Sequence, residues 1–347
     1  MEAIKEKGNS VRIAFLADTH LGFDFPLRPR IDRRRRGPDF FNNFNRALEM
    51  AVNHGADVVV HGGDVFFRSK IPEAIIAKAY EPLLPMADSG LPILLVPGNH
   101  ERSVLPASPL FHHPNIHVFK SPCTRVLNFR GYQIAMGGFP NVRHQAGYNF
   151  PRILDETGLL DTVSDVKILC MHQSVDGAQV GPVNFTFRKG RDVIGRDQIP
   201  EEIPLVLSGH IHRHQILKLS SNGYVVYSGS IDRTSFSEKA EKKGFYLIDV
   251  DLEPSLKFIF NFMELDTRPM FDLIVPENLS HREETLAFVQ TRIREFPANS
   301  IVRVVPAVDQ QSIWLGSATL RMLSPDTMNV DLKYNRGEYQ RDSKANR

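Results

Sequence analysis

The stretch Val11 to Gly22, VRIAFLADTHLG, decides how the rest of the chain is read. An apolar run, Ile13 to Ala17, stops abruptly at Asp18-Thr19-His20. An unbroken apolar run bounded by polar residues suits a strand buried on both faces. Side chains alternate along a strand, so Asp18 and His20 are expected to leave one face together at its carboxyl end. A carboxylate and an imidazole so placed can both reach one metal ion. Alone, D-x-H is better explained by a solvated strand end. Its weight comes from what recurs downstream.

Ala56 to His61 is a second buried strand, ending in Gly62-Gly63-Asp64, where glycine lets the backbone turn sharply and approach a ligand. Pro92 to Val96 is a third, ending in Pro97-Gly98-Asn99-His100-Glu101. Val166 to Met171 ends in His172-Gln173, and Pro204 to Leu207 in Ser208-Gly209-His210-Ile211-His212. Side chains at the carboxyl ends of neighbouring strands converge on one crevice. Oxygen and imidazole donors without thiolate suit divalent manganese, iron or zinc. Asp18, His20, Asp64, Asn99, His100, His172, His210 and His212 exceed what one ion needs. Two ions bridged by Asp64 fit better, and two ions ~3.5–4 Å apart form the usual clamp for phosphoester displacement.

Between these blocks the pattern predicts an amphipathic helix over 39–54, with Gly55 as C-cap, and a helical stretch over 72–89 broken near Glu81 by Pro82 and Pro85. Residues 115 to 139 read as short strands with a turn at Arg130-Gly131. Strands follow at 224–227 and 244–250. A second unit begins near Thr267, with a strand over 270–275, a helix over 281–296 and strand signals at 300–308 and 327–332. The last residues, 334–347, are polar and expected to fray.

Two loops are basic. The first, Phe23 to Pro38, carries Arg33, Arg34, Arg35 and Arg36; the second, Gly177 to Gly195, carries Phe185, Phe187, Arg188 and Lys189. Clustered cations beside a strand-end site read as phosphate-backbone contacts, and single-strand grooves combine such charge with aromatic platforms. Solvated surface for the charges and ordinary packing for the two phenylalanines stand as the alternatives.

Composition narrows the class. A 347-residue chain with 42% hydrophobic and 24% charged residues is an ordinary globular protein, and a net charge of +2 argues neither for nor against nucleic acid. Cys123 and Cys170 make no disulfide framework, so a reducing compartment fits. The N-terminus lacks the apolar core of a signal peptide and no run reaches the ~20 residues of a membrane span. The expected setting is cytoplasmic, with no membrane partner.

The ordered blocks Asp18-x-His20, Gly63-Asp64, Gly98-Asn99-His100-Glu101, His172 and Gly209-His210-x-His212 resemble the calcineurin-like metallophosphoesterases over residues 11 to 250. DTHLG, GGDVFF, HQ, GHIH and the stretch Tyr227 to Val250, YSGSIDRTSFSEKAEKKGFYLIDV, resemble the SbcD-type DNA repair exonucleases, relatives of the eukaryotic double-strand-break repair nuclease. The resemblance implies a four-layer α/β/β/α sandwich of two mixed sheets with a small C-terminal α+β capping domain. The domains would be 1–266 for the nuclease and 267–347 for the DNA-binding cap. It implies that Asp18, His20, Asp64 and His212 hold one metal, most often Mn2+ with Fe2+ or Zn2+ as alternatives. Asp64, Asn99, His172 and His210 would hold the other.

The same resemblance implies that His100 is the proton donor, with Glu101 beside it as the second catalytic residue. Family members commonly have Asp at that place, and the longer arm of Glu101 bears on how His100 is oriented. The implied function is a metal-dependent DNA exonuclease or endonuclease. A phosphatase or small-molecule phosphodiesterase on the same scaffold is the alternative, and intact ligands weigh against a non-catalytic binding module. The implied partners are DNA and an SbcC-type ABC ATPase with a long coiled coil, and a homodimer stands open. The ATPase docks through C-terminal helices in that family, and this chain shows no amphipathic helix after the second unit.

Overall fold

The computed structural model describes residues 10–25, 34–219 and 222–333. Arg33 and residues 334–347 lie outside the described residues. Along the chain come β1 (Ser10–Leu16), α1 (Gly37–Asn53), β2 (Val58–His61), α2 (Glu73–Tyr80), α3 (Leu83–Asp88), β3 (Ile93–Leu95) and β4 (Ile116–Val118). Then follow β5 (Cys123–Phe129), β6 (Tyr132–Gly138), α4 (Ala146–Glu156), β7 (Val166–His172), β8 (Gln179–Val180) and β9 (Phe185–Thr186). The remaining strands of this unit are β10 (Leu205–Gly209), β11 (Gln215–Lys218), β12 (Tyr224–Tyr227), β13 (Gly244–Asp251) and β14 (Lys257–Glu264).

These strands make two six-stranded sheets, ordered β14-β13-β1-β2-β3-β4 and β11-β12-β10-β7-β6-β5. Both are mixed. In the first, β1 runs parallel to β2 and antiparallel to β13; in the second, β7 and β10 are parallel and β5 and β11 are antiparallel edges. The residues of β1 show how the layers form. Ala14 and Leu16 face a core shared with Phe40, Phe44, Leu48 and Ala51 of α1. Val11, Ile13 and Phe15 face the opposite way, onto Met136, Ile168, Cys170 and Leu207 of the second sheet. The outer face of that sheet, with Ala135, Leu169, Met171 and Val206, packs on Phe150, Ile153 and Leu154 of α4. The result is a four-layer α/β/β/α sandwich, with each buried Phe or Leu contributing ~1.5–3 kcal/mol.

Local sequence explains the boundaries. Helix α1 starts at Gly37-Pro38-Asp39 and is closed by Gly55 at φ +65°, the left-handed C-cap that glycine takes without strain. The break near Glu81 falls between α2 and α3, at Glu81-Pro82. Arg130 and Gly131, both at positive φ, make the two-residue turn that pairs β5 with β6.

Residues 34–35 and 268–333 form a second unit, the division falling at Thr267/Arg268. Its strands β15 (Met270–Ile274), β16 (Ile301–Val305) and β17 (Asn329–Leu332) form a parallel sheet packed by α5 (Arg282–Ile293) and α7 (Ser317–Leu323), with α6 (Asp309–Trp314) against α5. Arg34 belongs to this unit, because its side chain donates to the Thr327 carbonyl at 2.7 Å and Asn329 donates to its own carbonyl at 2.9 Å.

Among the described residues, no helix is long and apolar enough to cross a membrane.

Candidate metal centre

The first strand ends earlier than its apolar run. Leu16 is its last residue, so Asp18 and His20 sit in a loop rather than on the alternating face of a strand. Pairing with the next loop continues nonetheless. Asp18 N–H donates to Gly63 O at 2.9 Å, His20 N–H to Asp64 O at 3.0 Å and Leu21 N–H to Val65 O at 2.8 Å. The two loops therefore leave the sheet as a pair. Asp18 (φ 52°), His20 (45°), Asp64 (53°) and His210 (85°) all occupy the left-handed region, unusual for residues with a Cβ.

Asp64 is the hub. Its Oδ1 accepts the His100 N–H at 2.9 Å. Its Oδ2 lies 3.4 Å from His172 Nε2, 3.8 Å from His100 Nε2 and 4.0 Å from His20 Nε2. Burial works against the charge on Asp64, but His172 and the other imidazoles hold its carboxyl well below the usual carboxylate range. Two glycines clear the space around it. A Cβ on Gly98 would lie 2.2 Å from Asp64, and one on Gly63 would lie 2.3 Å from His172 Nδ1.

The other side chains of this cluster are held one by one. His172 Nδ1 faces the Gly62 carbonyl at 2.7 Å, which can only accept, so Nδ1 donates and Nε2 is turned inward, 3.0 Å from Asn99 Oδ1. That same Asn99 oxygen lies 2.8 Å from His210 Nδ1. The buried Asp18 carboxylate accepts the His210 N–H, 3.1 Å from each oxygen. His20 Nε2 and His212 Nε2 face each other at 2.9 Å. Burial, and His212 next, drive the His20 pKa well below the ordinary value. Burial, then His172, lowers His210 to about 3. Asp64 and its hydrogen bond overcome burial to raise His172 to about 9.

This arrangement fits divalent cations. Ligand atoms of Asp18, His20 and His212, of His20, Asp64 and His100, and of Asp18, Asp64 and His172 lie within 4.8 Å of one another in each trio. His20 Nδ1 is buried with no partner among the described residues, and imidazole nitrogens face one another across distances that a shared cation would relieve. The donors are oxygen and imidazole nitrogen, as borderline divalent ions prefer. Cys170 lies in the core between the sheets and contributes nothing to this set.

A profile of the calcineurin-like phosphoesterases matches residues 11–214, more than half of the chain. The chain belongs to the calcineurin-like phosphoesterase family. Within that family it is similar to the DNA double-strand break repair protein Mre11 of Archaeoglobus fulgidus, 24% identical over 77% of this chain and 62% of the relative. It is likewise similar to the Mre11 of Methanococcus maripaludis, 26% identical over 69% of this chain and 63% of the relative. The chain thus spans about three fifths of the length of these curated relatives. A dimetal phosphatase from Danio rerio, 12% identical, overlays on 74% of this chain and 98% of its own with a TM-score of 0.45.

His100 and Glu101 follow Asn99 on the turn after β3. His100 Nδ1 faces the Phe67 carbonyl at 2.6 Å, so a backbone group orients its ring. Glu101 does not touch it through its carboxylate. Its two oxygens accept the Phe66 N–H at 2.7 Å and the Gly98 N–H at 3.0 Å. Burial, then Asp64, pushes the Glu101 carboxyl up to about 8, against the Phe66 N–H. Sequence reasoning missed Phe67, because any residue supplies a carbonyl. It also missed Glu238, 3.3 Å from His212 Nδ1, although Glu238 lies inside the family-like stretch Tyr227 to Val250.

Arg36 is 7% exposed and lies in the core of the first unit. Its guanidinium is 3.5 Å from Asp232, donates to the Arg233 carbonyl and rests against Phe23 and Phe40. Arg34 sits in the second unit and Arg35 has partners of its own. Arg188 is exposed just past the β8–β9 hairpin, and Lys189 beside it pairs with Asp197 at 2.6 Å. Phe185 is exposed and meets Phe187 edge-on, while Phe187 packs partly against the α4 core.

Proposed function

We propose that this chain is a metal-dependent DNA nuclease of repair, an exonuclease or endonuclease that hydrolyses phosphodiester bonds with manganese as its working cation. One observation carries the reading: a single buried carboxylate, Asp64, is shared by three imidazoles, His20, His100 and His172, from the carboxyl ends of three different strands. Relatives aligned with this chain over about three quarters or two thirds of it are DNA double-strand break repair proteins. Asp18, His20, Asp64 and His212 would hold one cation, and Asp64, Asn99, His172 and His210 the other. Bound divalent cations supply Lewis acidity toward a phosphate ester and lower the pKa of water.

The chain's own residues do the rest. The Phe67 carbonyl keeps the first proton of His100 on Nδ1, which turns Nε2 toward the site, 3.8 Å from Asp64 Oδ2. A second proton, on Nε2, is the one His100 gives to the departing sugar oxygen. A bare alkoxide leaves poorly, and positioned proton donation contributes ~10²–10⁴-fold. Glu101 is a positioning residue in this reading. By accepting from Phe66 and Gly98, it ties the turn carrying Asp64 to the turn carrying Asn99 and His100.

Residues 1–266 form the nuclease domain in this reading, and 267–347 a cap that helps to hold DNA. The partners are DNA, contacted through Arg188 and Lys189 among others, an SbcC-type ABC ATPase and a second copy of the chain, in the cytoplasm. Arg36 leaves the set of DNA contacts, since burial against Asp232 commits it to the fold.

The test is purified protein with Mn2+, given duplex DNA, single-stranded DNA, a cyclic nucleotide and a phosphomonoester in parallel. DNA is expected to be cut and the monoester spared. His100→Leu is expected to lose ~10²–10⁴-fold on DNA and much less on bis-nitrophenyl phosphate, whose leaving group needs little protonation. Turnover of only the monoester or the cyclic nucleotide would replace the nuclease with a phosphatase or small-molecule phosphodiesterase.

A further inference from the structure

His212 is gripped at both ring nitrogens. Nε2 faces His20 inside the ligand cluster, and Nδ1 faces a polar nest built by Thr234, Ser235, Glu238 and Lys243. The protons in that nest can be assigned by elimination. Thr234 has one hydroxyl hydrogen, and the 2.6 Å bond from its Oγ1 to Glu238 Oε1 uses it. The Thr234 oxygen therefore meets His212 Nδ1, 3.3 Å away, with a lone pair. Glu238 Oε1, also 3.3 Å away, is an acceptor as well. Two acceptors leave Nδ1 a single role, that of donor. In the neutral ring the proton then sits on Nδ1 and the lone pair on Nε2 points at the cluster.

Glu238 is itself held. Lys243, 1% exposed, places Nζ 2.7 Å from Glu238 Oε2 and 3.0 Å from Glu241 Oε2. The same ammonium donates to the His212 carbonyl at 2.9 Å. Lys243 thus fixes the His212 backbone directly and its ring through Glu238. A buried ammonium and a buried carboxylate each carry a heavy desolvation cost, which their mutual contact offsets. No part of the proposed phosphoester chemistry needs either group to react.

We propose that Glu238 is the positioning residue of His212, setting its tautomer and ring direction so that Nε2 is offered to a divalent cation, with Lys243 keeping Glu238 in place. The proposal rests on the reading of the cluster as a cation site and not on DNA as the substrate.

Two measurements test it. The first is 15N NMR of histidine-labelled, metal-free wild type at a pH where the ring is neutral, with His212 assigned by its loss in His212→Ala. Free histidine prefers the Nε2–H form, so the Nδ1–H form expected here is a departure from the default. The second is calorimetric titration with Mn2+. Glu238→Gln is expected to weaken one of the two binding steps by ~10–100-fold and to leave the other unchanged, as loss of an outer partner of a ligating His does. A merely structural role would lower the unfolding temperature and leave both binding steps alone.

An Nε2–H ring in wild type, or wild-type Mn2+ affinity in a folded Glu238→Gln protein, overturns the proposal. Should that variant fail to fold, the wild-type tautomer decides. Absence of Mn2+ uptake by wild type would remove the cation reading and this proposal with it. Uncut DNA alongside the Nδ1–H form and a weakened step would remove only the nuclease reading.

Discussion

Asp64 and Arg36 are both ionic side chains taken almost wholly out of water, and the protein keeps them there in opposite ways. Arg36 is answered by permanent partners: the Asp232 carboxylate at 3.5 Å, the Arg233 carbonyl and the faces of Phe23 and Phe40. Burial pushes the Asp232 carboxyl up to about 6 and Arg36 pulls it back, as in a structural ion pair. Around Asp64 the fixed partner is one backbone N–H, on Oδ1; Oδ2 is left to three imidazoles that are candidate ligands themselves. Buried charge alone therefore does not mark a site. A site is marked by neighbours that a cation could share.

Four variants press on this contrast. The largest effect is expected for Asp64→Ala, which in the proposed reading removes the group common to both cation positions. Both cations should be lost and phosphoester hydrolysis should fall to background, while the metal-free protein still unfolds cooperatively. Elemental analysis and calorimetry check this, and one cation retained at wild-type affinity would break the bridge assignment. Arg36→Met should do the reverse. It removes the cation beside the buried Asp232 carboxylate, which keeps the Asn43 amide and the Arg233 N–H, and should cost ~1.5–3 kcal/mol of stability, read by denaturant unfolding, with Mn2+ uptake unchanged. Arg36→Met/Asp232→Asn should recover most of that loss. If Arg36→Met were as stable as wild type but bound DNA poorly, Arg36 would return to the nucleic-acid surface.

The smallest effect is expected at the exposed pair. Arg188→Ala/Lys189→Ala should leave cation uptake and unfolding unchanged and flatten the log–log salt dependence of DNA binding by ~0.9 for each phosphate contact removed. An unchanged slope, measured by fluorescence anisotropy across salt, would assign both residues to ordinary solvated surface.

The clustering of Asp18, His20, Asp64, Asn99, His172, His210 and His212 was legible in the sequence because each closes an apolar run or follows one within a few residues, and parallel pairing of β1, β2 and β3, and of β7 and β10, carries those ends to one place. The helix expected over 39–54 is found at Gly37–Asn53 for a similar reason, its Phe and Leu repeat facing one sheet. Other elements were not legible. Helix α4 holds Pro151 in its interior and opens on Gln145 in the left-handed region, so its local signals argue against a helix that tertiary packing of Phe150, Ile153 and Leu154 nevertheless stabilises. The two-residue strands of the β8–β9 hairpin are too short for any period to show. The fate of the arginines was hidden as well. Arg36 meets Asp232, 196 residues further on, and nothing in the sequence around Arg36 announces that its side chain folds inward. Glu238 lies 26 residues past His212, and only the fold brings the two together.

The left-handed backbone at Asp18, His20, Asp64 and His210 has a consequence for anyone trying to evolve this protein. Each such residue costs ~1–2 kcal/mol that glycine would not incur. Selection for heat resistance in the presence of a chelator would therefore reward glycine at the very codons that encode the candidate ligands, and, on the proposed reading, the winners would be sturdy proteins with nothing to hold a cation. Selection with cation supplied would protect the same codons, because a ligand at free concentration L that binds only the native state stabilises it by RT ln(1 + L/Kd), which keeps growing as the cation exceeds its dissociation constant. The growth medium, more than the mutation rate, would decide whether such a lineage keeps its chemistry.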